Sequence, residues 1–153
     1  MKIVSGAAAS LAAMSMLLAV PASAGAMSQA EKLRRLDIML MVTGLRCRTG
    51  ADNFQADYGR FTTNHIRELN AASNTLKADM ARRHGAGGAN RALDRFSTTM
   101  ANAYGNGHPW LSCGQLKQVT RNLATAKGPA PLVEAADQLL AESGSPQVAW
   151  ARR

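Results

Sequence analysis

The side chain best suited to acid–base work is His65. It stands between Phe61 and Leu69 on an otherwise apolar stripe, with Asp57 two turns before it and Glu68 almost one turn after. Imidazole titrates near neutrality, and a carboxylate within reach would orient it and raise its pKa; Glu68 is the better placed of the two. Such a pair would make a general base or a ligand. The plainer reading, adopted here, is a core or edge histidine with one satisfied hydrogen bond. His108-Pro109-Trp110-Leu111-Ser112-Cys113 sets polar and aromatic groups beside a cysteine. It could wall a pocket, although a Trp so placed more often covers a disulfide. Arg46 and Arg48 flank Cys47, where two guanidiniums could clamp a carboxylate or phosphate. The alternative is a solvated link. The run Gly85-Ala86-Gly87-Gly88-Ala89-Asn90, with Arg91 next, could cradle an anion on the free N–H groups of a helix start. It lacks the Gly-Lys-Ser/Thr ending of a P-loop and the strand and last glycine of a dinucleotide fingerprint, so a plain interhelical turn is expected. Candidate ligand contacts are therefore His65, Asp57, Arg46, Arg48, His108 and Trp110.

No catalytic residue is assigned. HExxH, GxSxG and a zinc-type cysteine set are all missing from the sequence. Met39, Met41, Met80 and Met100 are spaced as core filler and not clustered with histidine as a copper site would need. No metal and no cofactor is expected.

The first 24 residues read as a secretory signal peptide. Lys2 supplies the positive start, Gly6–Val20 is almost wholly apolar, Pro21 breaks the run, and Ala22-Ser23-Ala24 fits a small-x-small cleavage rule. The apolar run is about 15 residues, short of the roughly 20 that span a bilayer. Cleavage would leave 129 of the 153 residues, and loss of Lys2 takes the net charge from +8 to +7. That length suits one domain with a real core. The positive charge favours anionic partners: an envelope polymer, a membrane surface or an acidic protein. Nucleic acid is a poor partner for an exported chain with few aromatics and no binding motif. An oxidising compartment would join Cys47 to Cys113.

The elements that must hold these groups read as helices. Ser28 and Glu31 form a capping box at the start of helix one. Leu33, Leu36, Leu40 and Thr43 make its stripe, which Ile38, Met39, Met41 and Val42 widen; Gly44 is a plausible stop. Phe54, Tyr58, Phe61, His65, Leu69, Ala72, Leu76 and Met80 recur at spacings of four or three. They predict one long helix from about Asp52 to His84, with a bend at Gly59 and an end at Gly85. Helix three follows from about Ala89 to Tyr104, with Leu93, Phe96, Met100 and Ala103 inward. Helix four starts near Pro109 and carries Trp110, Cys113, Leu116, Val119 and Leu123. A short fifth helix holds Leu132, Val133, Ala136, Leu139 and Leu140. The expected fold is all-α: a bundle of four to five helices, mostly antiparallel, with one disulfide. It would span residues 25–143, followed by a flexible tail over 144–153.

The stretch Leu36–Arg48 (LDIMLMVTGLRCR), followed by Asp52–Phe61, resembles a group of short exported two-cysteine helical proteins of Gram-negative bacteria. The resemblance implies a fold and export but carries no established activity. Some of that group are labelled adenosylhomocysteine hydrolases. That enzyme family binds NAD on a Rossmann domain in a much larger cytoplasmic chain, and its fingerprint is missing here. The chain is also similar, more distantly, to the small periplasmic acid chaperones, which are helical with a single disulfide. Their switching uses carboxylates, and here 10 acidic residues face 17 basic ones beyond the leader. The function expected is non-enzymatic binding of a periplasmic or envelope partner through a basic surface. The alternatives are a small enzyme or ligand-binding protein with a pocket near His65 and Trp110, and a periplasmic holdase chaperone.

Overall fold

A computed structural model of the chain describes residues 27–140. The expected leader and the tail over 144–153 lie outside these residues. Six helices and no strand occur among them: α1 (Gln29–Arg46), α2 (Gln55–Asn64), α3 (Ile66–His84), α4 (Ala86–Tyr104), α5 (Cys113–Thr125) and α6 (Ala130–Leu139). The all-α expectation and the Cys47–Cys113 disulfide both hold. The helix count is higher than four to five, because the long second helix is two.

α1 is the central element and packs against each of the other five. Ser28 starts it, its hydroxyl accepting from the Glu31 N–H at 3.1 Å. The Glu31 carboxylate does not complete the box; it accepts instead from Arg35, one turn on. Leu33, Leu36, Ile38, Met39 and Leu40 are buried, while Met41 turns out to solvent and Val42 is half-buried. The helix does not stop at Gly44. That residue is buried inside the helix, and a Cβ there would stand 3.3 Å from the Phe54 ring. Glycine at this position lets α1 and the start of α2 approach.

The stripe from Phe54 to Met80 points inward as expected, but the helix carrying it breaks at His65 and not at Gly59. His65 has φ −112° and ψ 20°, ends α2 and starts α3. Gly59 stays helical, and its carbonyl accepts from the Thr62 and Thr63 hydroxyls. The break turns two donors onto the end of α5. Asn64 Nδ2 donates to the Ala124 carbonyl at 2.7 Å, and His65 Nε2 donates to the Leu123 carbonyl at 2.8 Å. The last carbonyls of a helix have no partner within it, so these side chains act as its cap.

Only Gly85, at φ +74°, separates α3 from α4; the expected turn over Gly85–Gly88 is mostly helix. Within α4, Met100 is buried but Ala103 is exposed. α5 starts at Cys113, not near Pro109. Ser112 caps it with a complete box: its hydroxyl accepts from the Gln115 N–H, and the Gln115 side chain accepts from the Ser112 N–H. Trp110 therefore sits in the link before the helix. α1 runs antiparallel to α2, with Gly44 against Phe54 and Asp37 against Tyr58. α2 and α5 run parallel, against the antiparallel expectation, since Asp52 borders Gly114, Asp57 meets Arg121 and Asn64 meets Ala124.

The disulfide joins the end of α1 to the first residue of α5 across a sequence separation of 66. A loop of that length restricts the unfolded chain enough to stabilise the fold by about 4 kcal/mol. The double variant Cys47→Ala/Cys113→Ala should keep its helical circular dichroism and unfold at distinctly lower urea concentration. An unchanged urea midpoint would refute this account of the bond.

Candidate functional site

The residues proposed to line a pocket with His65 do not meet. His65 is buried, with its ring tilted against Phe61 at 5.4 Å between centroids. Its Nε2 donates to Leu123, and its Nδ1 is buried without a partner. Asp57 is also buried but is paired with Arg60 and with Arg121, the latter at 3.5 Å. Glu68 lines a different cavity, about 330 Å³, with Gln29, Leu33 and Ala72. Neither carboxylate hydrogen-bonds the ring. This geometry is the core histidine with one satisfied bond, and it places His65 at the C-terminal end of α5.

Trp110 and His108 lie at the other end of α5. At 1.5 Å per residue, the ten residues from Cys113 to Leu123 separate the two groups by roughly 15 Å. His108 is held on every side. Nε2 donates to the Leu139 carbonyl at 3.1 Å, and Nδ1 accepts from the Trp110 and Leu111 N–H groups at 3.4 and 3.3 Å. Tyr104 stacks on the ring and Trp110 meets it edge-on at 4.6 Å between centroids. With both nitrogens engaged by backbone, this imidazole joins three segments and is not a free base. His108, Arg46 and the two cysteines share a cavity of about 200 Å³. Arg46 and Arg48 line a second one, about 340 Å³, beside Gly105. The sequence grouping of these arginines with the disulfide thus survives in space, while Trp110 packs on the core and His108.

Sequence reasoning missed two arrangements. One is a half-buried polar staple. Tyr58 donates its hydroxyl to Asp37 at 2.8 Å, Arg34 meets the other Asp37 oxygen at 3.4 Å, and Arg34 also donates to Ser97 at 3.3 Å. It ties α1, α2 and α4. Burial pushes the Asp37 carboxyl above the usual range, partly offset by the Tyr58 hydrogen bond and Arg34. Burial first, then the Asp37 charge, keep the Tyr58 phenol protonated beyond its ordinary range.

The other is a cavity of about 500 Å³ where the end of α3 meets α4 and α1. Arg35, Arg83, Arg91, Arg95 and His84 contribute to its walls, over a floor that includes Phe96 and Met100. No carboxylate of the described residues lines it. Arg35 is neutralised by Glu31 at 2.8 Å and lies 5.0 Å from the centre of the Phe96 ring. Arg83, Arg91 and Arg95 form no ion pair among the described residues. The signal in the sequence was the Gly-rich run with Arg91 beside it. Of the N–H groups at that helix start, those of Gly88 and Ala89 donate to the Gly85 carbonyl. The guanidinium side chains carry the positive charge of the site.

Three outcomes test these assignments. His65→Leu removes the donor to the end of α5 and should cost about 1–3 kcal/mol of unfolding free energy in urea. His108 supplies a pH dependence. Burial holds its pKa below the ordinary 6.5, against the opposing effect of the Leu139 hydrogen bond. The unfolded chain takes up the proton first, so the stability from the neutral ring is complete above about 6.5 and is lost as pH falls from there to the lower folded value. The melting temperature should drop across that window, and His108→Gln should flatten the drop. Asp37 has the opposite sign: its raised pKa adds stability as pH falls through that value toward 3.8. Asp37→Asn should therefore leave the His108 window in place.

Comparison of the chain with protein-family models, with curated proteins and with solved structures finds no match.

Proposed function

We propose that this chain is an exported, non-enzymatic protein that binds an anionic group of an envelope partner in the arginine-lined cavity between α3, α4 and α1. The observation that carries this reading is the convergence of Arg83, Arg91 and Arg95 on one cavity with no carboxylate among the described residues of its walls. Like charges one turn apart on a helix, as Arg91 and Arg95 are, repel by a few tenths of a kcal/mol. An anion bound between them reverses the sign of that interaction and gains charge-assisted, bidentate hydrogen bonds. A cavity of this size falls within the range typical of small-ligand sites. The expected leader and the net charge of +7 without it agree with an anionic partner outside the cytoplasm.

The other readings have less behind them. A pocket shared by His65 and Trp110 would have to bridge the length of α5. A holdase would need a broad apolar surface, and the large exposed apolar side chains among the described residues are Met41, Leu45 and Ile66.

Calorimetric titration with inorganic pyrophosphate tests the anion site. Arg91→Gln/Arg95→Gln should weaken binding tenfold or more, since a hydrogen bond to a charged group contributes about 1.5–3 kcal/mol. Arg67→Gln/Lys77→Gln removes the same charge from exposed positions outside the cavity, and it should change affinity little. Equal losses in both variants would reduce the effect to overall charge and overturn the site.

A further inference from the structure

The walls of the arginine cavity are not uniform, and their arrangement narrows the ligand. Arg83, Arg91 and Arg95 are exposed, and so stand at its rim. Met100 is buried and Met80 and Phe96 are half-buried, so the apolar groups form its depth. The polar groups near that depth are already engaged. Arg35 holds Glu31 and lies on the Phe96 ring, with its Nη1 2.8 Å from the Met100 sulfur. The Thr99 hydroxyl donates to the Arg95 carbonyl. A small hydrated anion would meet the rim and leave the methionines and Phe96 in water. A purely apolar ligand would leave three unpaired guanidiniums facing one another.

We infer that the cavity takes an anionic amphiphile: a phosphate monoester head clasped by Arg83, Arg91 and Arg95, with an alkyl portion laid against Met80, Phe96 and Met100. This rests on the reading of the cavity as an anion site and adds the second half of the ligand. Three unpaired guanidiniums suit a phosphate dianion better than a single carboxylate. Guanidinium is also the cation that combines bidentate oxygen recognition with weak hydration, which favours it beside apolar surface. The rim carries arginine and no lysine. Each methylene removed from water strengthens binding several-fold, so even a short chain reports on the floor.

The test is calorimetric titration of the disulfide-bonded protein with inorganic phosphate, monohexyl phosphate and hexanol, with circular dichroism to confirm that each variant is folded. Hexyl phosphate should bind at least about tenfold more tightly than phosphate. Met80→Gln should lower the ratio of hexyl phosphate to phosphate affinity several-fold, and Arg91→Gln/Arg95→Gln should weaken both phosphates. Equal affinity for phosphate and hexyl phosphate would overturn the amphiphile and leave the anion site standing. Binding of neither phosphate would overturn both, as would hexanol binding as tightly as hexyl phosphate. Sedimentation with vesicles distinguishes the two sources of such a ligand. Retention on phosphatidic acid, whose head is a phosphate monoester, but not on phosphatidylglycerol or phosphatidylcholine, competed by hexyl phosphate, supports a headgroup taken at the membrane. Binding of hexyl phosphate without vesicle retention supports a free amphiphile.

Discussion

Burying α1 among five neighbours leaves its polar side chains little choice of partner. Leu36, Met39 and Leu40 lose all contact with water, and truncating any one of them would cost about 2–5 kcal/mol. The same burial traps Lys32, Arg34, Arg35 and Asp37 at half-covered positions, where an unpaired charge is expensive. Each finds a group nearby: Lys32 meets Asp137 on α6, Arg34 meets Ser97 on α4, Asp37 meets Tyr58 on α2 and Arg35 lies over Phe96. These contacts bind α2, α4 and α6 to the polar edge of α1. The arginine cavity follows from that arrangement. Arg35 anchors one side of it, and α4 brings Arg91 and Arg95 to the other.

α5 is held at both ends by different chemistry. A covalent bond ties its first residue to the end of α1, and two side chains from the α2–α3 junction satisfy carbonyls in its last turn. Asp57 and Arg121 meet between these points. That is why His65, the most suggestive residue for chemistry, is a structural one. Breaking one long helix brings His65 as a second donor to the Leu123 carbonyl, which also accepts from the Ala126 N–H, and Asn64 as a donor to Ala124.

The candidate site lies away from both ends of α5, in the region where α3 and α4 are separated by the single turn at Gly85. It needs neither histidine of the α5 contacts. The helices that carry its rim are packed to each other and to α1, so the rim arginines project from fixed backbones. A site of this kind is built by juxtaposition of side chains and not by a local motif.

Local rules acting within a few residues were legible in the sequence. Apolar spacing of three and four identified helix and the inward face of Phe54–Met80 even across the break. Ser28 read correctly as a cap, Gly85 as the end of α3, and two cysteines left a single intramolecular pairing. The start of α5 was legible too, as Ser112 and Gln115, but Pro109 offered a competing first-turn signal. What depends on a distant neighbour was not. Gly44 looked like a helix end because its purpose is the Phe54 ring, and the partner of the core histidine His65 is a carbonyl 58 residues away. Arg91 stood out beside the glycine-rich run, but nothing in the sequence joined it to Arg35, Arg83 and Arg95. Periodicity says which face of a helix is apolar; only the packing of α1, α3 and α4 decides whose charges share a space.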